Sequence, residues 1–543
     1  MKISFYKHFS LYLFHTLLLC VSSVHAQWQW SATVTTIVAT ETKKHPQAFL
    51  WIPENCKQLK AVVIGQHNMS EEGILEHPKF RQEMAKLGIG AIWVSPGFDM
   101  PFDFTKGAGQ VFESIMTDLA QTSGYSELAY IPVIPIGHSA YATFPWNFAA
   151  WNPSRTLAIL SIHGDAPQTN LTGYGNANIA WNTKNIDGIP GLMVEGEYEW
   201  WEARVDPALQ YKTQHPNAAI SFLCDAGHGH FDVSDELIDY LSLFIKKAMK
   251  FRSPNISQLG HTIHLQAINP RQGWLKERWK KDTAPKYESA SFEQYKGDKK
   301  EAFWYFDKEH ATATERYYIR SRGKKDQYIG FTQNGKLLSF NPKSHARIQA
   351  PFTPDSDGLT FHINAVFTDT LRTKISNDHA SGKITINRIC GPVEKVNDTT
   401  FTVRFYRMGI DNPKRTGDIW LIGQHPGDGE YKSSVQQFNM RIPIENTEGM
   451  EQKLTFEPIP NVQLGTRSLL LKASSNSRLP VYFYVKEGPA IITNSELIIT
   501  GIPPKTKFPV KITVVAWQYG RATEPKIKTA TPIEQSFYIL NNK

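Results

Sequence analysis

The sequence predicts an α/β domain, a mostly parallel sheet flanked by helices, followed by all-β sandwich domains. Three observations carry this expectation. Six short apolar runs between residues 61 and 223 are mostly separated by helix-like segments. One of these runs ends in Gly137-His138-Ser139 and passes straight into a helical pattern. From about residue 255 the texture changes to short stretches in which apolar and polar residues alternate between glycine, proline and asparagine punctuation.

The chain begins with Lys2 and Lys7 ahead of an apolar stretch, LYLFHTLLLCV, and reaches Val24-His25-Ala26. This is the pattern of a signal peptide, residues 1–26, cleaved after Ala26, and it predicts a secreted or periplasmic protein. Leu19 precedes Cys20 where a lipoprotein would carry a small residue, which argues against lipidation. No later run approaches the roughly 20 apolar residues of a membrane span, so no transmembrane segment is expected.

With 543 residues, 41% of them hydrophobic, the chain can bury more than one core. The leader holds two lysines and no acid, so the formal charge of +8 falls to +6 in the mature chain. That balance is mild, and no dense Lys/Arg cluster interleaved with aromatics appears, so nucleic-acid binding is disfavoured. A basic surface would suit an acidic polysaccharide or a cell envelope. Cys56, Cys224 and Cys390 are odd in number and widely spaced, which argues against a disulfide framework or a zinc site.

The strand-like runs are Ala61 to Gly65, Gly90 to Ser95, Ile131 to Gly137, Leu157 to Ile162, Gly191 to Glu195 and Ala219 to Leu223. In a parallel sheet the ligand lies beyond the carboxyl ends of the strands, so chemistry is sought just after each run. After the third comes Gly137-His138-Ser139-Ala140-Tyr141. This has the shape of a nucleophile elbow, a serine on a tight strand-to-helix turn, with Tyr141 where the last glycine of G-x-S-x-G normally stands. After the fifth run comes Gly196-Glu197-Tyr198-Glu199, and after the sixth Asp225-Ala226-Gly227-His228-Gly229-His230.

Serine, acid and histidine thus occur in the order Ser, Glu, His, and on these residues the segment from about 45 to 250 resembles the α/β-hydrolases of the esterase and dienelactone-hydrolase type. The resemblance implies Ser139 as nucleophile, activated by a histidine base. His228 matches the family's G-H-G pattern and is preferred over His230. Glu199 is preferred as the acid, with Glu197 and Asp165 as alternatives; the unused glutamates would bond loop backbone or an arginine such as Arg204. One oxyanion donor is expected from the backbone of Ala140, the other from the loop Gly65-Gln66-His67-Asn68, where His67 is taken with Gln66 and Asn68 open. Trp146, Trp200 and Trp201 could wall a sugar or aromatic acyl group, or pack in the core. No metal or organic cofactor is required.

The catalytic domain, residues 27–252, should close with a helix capped by Ser234, burying Leu237, Leu241, Phe244, Ile245 and Ala248, before Ser253-Pro254 breaks it. Residues 253–350 are expected to form an accessory or linker region, in which the aromatic, charged stretch from 271 to 310 layers on the hydrolase. A β-rich domain follows at 351–463. Residues 464–543 carry Glu487-Gly488-Pro489-Ala490 and the strand Val510 to Gly520, and resemble a bacterial immunoglobulin-like repeat. Such modules serve as spacers; Trp517 and Tyr519 would mark carbohydrate binding if exposed and core packing if not.

The resulting expectation is a secreted serine hydrolase that cleaves carboxylic esters through an acyl-enzyme, acting on acetyl or feruloyl esters of a polysaccharide. A serine peptidase of the same fold and a non-catalytic binding protein on a hydrolase scaffold are the rivals.

Overall fold

The computed structural model describes residues 28–171, 176–199, 201–253, 264–410 and 412–541. The expected leader therefore lies outside the described residues, as does Trp200. Among the described residues no helix is long and apolar enough to cross a membrane.

One 8-stranded sheet organises the N-terminal half. It contains Trp30–Thr33 (β1), Gln47–Trp51 (β2), Ala61–Gln66 (β3), Ile89–Ser95 (β4), Val133–His138 (β5), Ile159–Ile162 (β6), Pro190–Gly196 (β7) and Ala219–Asp225 (β8). Their spatial order is β1-β2-β4-β3-β5-β6-β7-β8. β1 and β2 run antiparallel at one edge, and every pair from β4 and β3 through to β8 is parallel. This is the α/β-hydrolase architecture. The six expected runs are β3 to β8; β1 and β2, short and mixed in composition, gave no comparable signal.

Helices cover both faces of the sheet. Along β3, Val63 joins one apolar core and Val62 and Ile64 the other, the alternation that a strand buried on two faces requires. Ser70–Glu76 (α1), Pro78–Leu87 (α2), Trp201–Gln214 (α5) and Asp235–Arg252 (α6) pack on the first core, Ala108–Ser123 (α3) on the second, and Thr143–Trp151 (α4) contributes to both. The α6 cap is as expected: Ser234 Oγ accepts the Leu237 N–H at 3.3 Å.

Past α6, Trp274–Glu277 (β9), Ala290–Ser291 (β10) and Ala302–Tyr305 (β11) form a small antiparallel sheet, followed by Lys308–Ile319 (α7). This layer covers the edge strand β8. Tyr305 Oη donates to the Phe222 carbonyl at 2.7 Å, and the Cys224 N–H donates to Tyr318 Oη at 3.1 Å. Tyrosine hydroxyls thus satisfy groups that an open edge would expose.

The middle β unit begins earlier than residue 351. Tyr328–Gln333 pairs with Asn364–Thr368 in this unit, so the expected boundary at 350 falls inside it. Its four-stranded sheet holds Thr385–Cys390, Asp418–His425, Ser434–Arg441 and Gln349–Pro351, facing a three-stranded sheet that includes Thr360–His362. The expected boundary at 463 also moves, because Leu454–Phe456 pairs with Ala473–Ser475 and Val462–Gln463 with Ile533–Leu540 in the last unit. That unit sandwiches a four-stranded and a three-stranded sheet around Phe483, Leu497, Ile512 and Phe537. Trp517 and Tyr519 are buried against Phe405 of the middle unit, so packing accounts for both.

The β units are not strung out from the 8-stranded sheet. Arg407 bonds Glu72 and Glu76 of α1, Lys432 reaches Glu197 at 3.2 Å, and Lys505 of the last unit reaches Glu127 at 2.6 Å.

Candidate active site

The turn after β5 places Ser139 at φ 55°, a left-handed conformation that only a few per cent of non-glycine residues adopt. Such strain costs about 1–3 kcal/mol and persists where the surroundings impose it. The missing Cβ of Gly137 lets the turn close this tightly, since a Cβ at that position would overlap the Tyr141 carbonyl. Tyr141 stands where the pattern has glycine because its side chain leaves the turn and lies over Gly97, whose missing Cβ makes the room.

Ser139 Oγ lies 2.7 Å from Nε2 of His230, and Nδ1 of His230 bonds Glu199 Oε1. Burial alone would raise the Glu199 carboxyl, but His230 and His163 facing it hold it well below the usual carboxylate range. It is therefore ionised and can only accept hydrogen bonds. His230 Nδ1 must carry the proton, which leaves the Nε2 lone pair to accept the Ser139 hydroxyl. Ser139, His230 and Glu199 thus have the connectivity of a serine–histidine–acid triad.

His228, the preferred base, is placed elsewhere. Its Nδ1 faces Asp225 at 2.9 Å and Asp232 at 3.3 Å, and its Nε2 faces Ser433 Oγ of the middle unit at 3.0 Å. Burial would favour the neutral ring, but the two carboxylates raise His228 well above the ordinary histidine value. An imidazolium with both N–H groups engaged cannot take a proton from a serine, so the choice of His228 over His230 is corrected. Asp225, His228 and Asp232 are also the described residues grouped closely enough to hold a metal ion, within 4.8 Å of one another.

The other expected residues sort as follows. Glu197 accepts the Gly227 N–H at 2.7 Å and pairs with Lys432, a loop-fixing role. Asp165 is buried, with Oδ1 accepting the Leu171 N–H at 2.9 Å. Arg204 pairs with Glu195 at 3.0 Å and lies 3.8 Å from Glu199. Trp146 is a core residue: it is 1% exposed, and its Nε1 donates to the Asp165 carbonyl at 2.7 Å, so it walls no site. Trp201 begins α5.

Ala140 opens the turn with its backbone N–H at the start of a short 3₁₀ helix, Ser139–Tyr141. His67 does not supply the second donor. Its N–H is spent on the Val94 carbonyl at 2.8 Å, and its buried ring bonds Ser95 Oγ and packs on Trp93. The Asn68 N–H, one residue on, meets no backbone acceptor among the described residues. Asn68 is held on two sides, its side-chain amide donating to the His138 carbonyl at 2.9 Å and its own carbonyl accepting from Arg415 at 3.0 Å.

Three positioning groups escaped the sequence. Glu71, fully buried and pushed up to about 7 by that burial, accepts the His138 N–H at 2.7 Å and the Met69 N–H at 3.0 Å. It joins the serine turn to the Asn68 loop. His138 Nε2 donates to the His230 carbonyl at 2.8 Å, tying the serine turn to the histidine loop. His163, buried after β6, lies 3.6 Å from Glu199 and 3.8 Å from Asp225. His138 and His163 carried a visible signal, since each follows or ends a strand run; Glu71 carried none.

No family model matches the sequence, and no curated protein does. Solved structures with a related arrangement include a dienelactone hydrolase from Anabaena variabilis ATCC 29413, at 13% identity over 42% of this chain and 98% of that one, TM-score 0.29. Est1E from Butyrivibrio proteoclasticus is at 15% identity over 38% and 93%, TM-score 0.25. A hyperthermophilic esterase from Pyrobaculum calidifontis is at 14% over 41% and 86%, TM-score 0.29. At such values the fold assignment rests on this chain's own strand order and strand directions.

Proposed function

We propose that the protein is a serine hydrolase of carboxylic esters, with Ser139 as nucleophile, His230 as general base and acid, and Glu199 as its orienting carboxylate. The observation that carries this reading is the Ser139–His230–Glu199 relay on a strained turn. Ser139 Oγ bonds the acyl carbon as His230 takes its proton, and the alcohol leaves with that proton. Water then repeats the sequence on the acyl-enzyme. The N–H groups of Ala140 and Asn68 are the proposed oxyanion donors.

The leader pattern of residues 1–26 supports an exported enzyme, and export together with appended β units supports an acylated polysaccharide as substrate, by analogy with the use of such modules. A non-catalytic scaffold would be favoured by a tyrosine in place of the elbow glycine, but the missing Cβ of Gly97 makes room for the Tyr141 side chain outside the turn.

The test is covalent. Incubated with a fluorophosphonate, the mature protein should gain one adduct, mapped to Ser139 by peptide mass spectrometry and absent from Ser139→Ala. An unlabelled wild type, or a label that persists in Ser139→Ala, contradicts the proposal.

A further inference from the structure

His230 has a neighbour from another unit. The ring of His345, in the middle β unit, lies with its centroid 5.1 Å from that of His230 at an interplanar angle of 73°. It packs on Phe231 and Trp420, yet the residue as a whole remains exposed. The withdrawal of solvent from the ring, with His230 beside it, pushes His345 down to about 4, so it is a neutral imidazole with donor and acceptor nitrogens.

The chemistry decides which half of an ester meets such a group. In acylation a bond forms between Ser139 Oγ and the acyl carbon, the bond from that carbon to the alcohol oxygen breaks, and His230 Nε2 hands the serine proton to that oxygen. The leaving oxygen must therefore sit within hydrogen-bond reach of His230 Nε2. An alcohol that extends from His230 Nε2 toward the middle β unit would meet the His345 ring packed beside His230. The same unit also holds Asn68 through Arg415 and His228 through Ser433, so it is seated against two of the loops that form the site.

We propose that the middle β unit, through His345, contacts the alcohol half of the substrate, and that the preferred esters carry an alcohol large enough to reach that unit from Ser139, an acylated glycan. This rests on the assignment of Ser139 and His230 above. It makes the hydrolase sheet the reader of the acyl group and the β unit a reader of the sugar.

The test holds the acyl group constant and varies the alcohol. Full-length wild type and His345→Ala are assayed on methyl acetate, p-nitrophenyl acetate and oligosaccharides from acetylated xylan, glucomannan and pectin. The wild type should prefer at least one glycan acetate over methyl acetate in kcat/KM. His345→Ala should lose 10-fold or more of kcat/KM on that glycan, change less than 2-fold on methyl acetate, and keep the rate of acetyl-enzyme breakdown, from which the alcohol has gone. Equal losses on all acetates, or a slower breakdown, would show that His345 merely supports His230 and would overturn the proposal. So would the absence of any glycan preference. His345→Gln, which keeps a polar side chain, is the second variant if His345→Ala lowers the melting temperature. Activity persisting in Ser139→Ala would sink the esterase assignment instead, a separate outcome.

Discussion

The buried carboxyl of Glu71 accepts the backbone N–H of His138 at 2.7 Å, and its second oxygen accepts that of Met69 at 3.0 Å. The residue before the nucleophile and the loop of the proposed second oxyanion donor are thereby fixed to one rigid group. Glu71→Gln can accept only one of these bonds and turns an NH₂ group toward the other donor. Leaving a buried donor unsatisfied costs about 1–3 kcal/mol. We expect urea unfolding to show a loss of that size and kcat for p-nitrophenyl acetate to fall at least 10-fold. An unchanged kcat would show that Glu71 does not position the turn.

Glu199→Gln should preserve the fold and slow hydrolysis by about 10³–10⁴, because the amide no longer dictates the His230 tautomer. Ser433→Ala, which removes the hydroxyl facing His228, should leave p-nitrophenyl ester hydrolysis within 3-fold of wild type. Steady-state kinetics on the two variants checks both statements.

Gly97 and Tyr141 form a size-complementary pair. Gly97→Ala forces the tyrosine ring to move and should destabilise the protein by about 1–3 kcal/mol, as overpacking does. In the double variant Gly97→Ala/Tyr141→Gly the clash is gone, so the two changes should be strongly non-additive. Thermal unfolding of the two single variants and the double variant measures the coupling; additive losses would contradict this account of the missing elbow glycine.

His310 in α7 is buried, bonded to Tyr240 at 3.1 Å, and lowered to about 3, with burial the main cause. Between pH 6.5 and 3 the unfolded chain binds a proton there that the folded chain refuses, so stability falls as pH falls through that window. From pH 7 to pH 5 this group contributes a loss of about 2 kcal/mol. Urea unfolding of the unit containing α7 should show a pH 7 to pH 5 drop smaller by about that amount in His310→Gln. An equal drop would place the acid sensitivity elsewhere.

The sheet was legible because β3 to β8 are buried on both faces and read as near-continuous apolar runs. The turns that carry Ser139 and Glu199 were legible because each follows a strand run and a glycine, Gly137 and Gly196. The choice between His228 and His230 was not, since two residues of sequence hide a difference made by Asp225 and Asp232 in space. His67 failed for a similar reason: whether a loop N–H is free depends on the neighbouring strand, where the Val94 carbonyl takes it. Trp146 was ambiguous because an aromatic residue on a helix after an elbow can face either core or cleft. His345 and Ser433 reach their neighbours across more than a hundred residues, and no spacing rule announces such contacts.

The most direct test of the assignment compares His230→Ala with His228→Ala on p-nitrophenyl acetate, with circular dichroism confirming that both are folded. The account predicts that His230→Ala loses at least 10³ in kcat/KM while His228→Ala keeps more than a tenth of wild-type activity. A folded His228→Ala that is as inactive as His230→Ala is expected to be, beside an active His230→Ala, would contradict it.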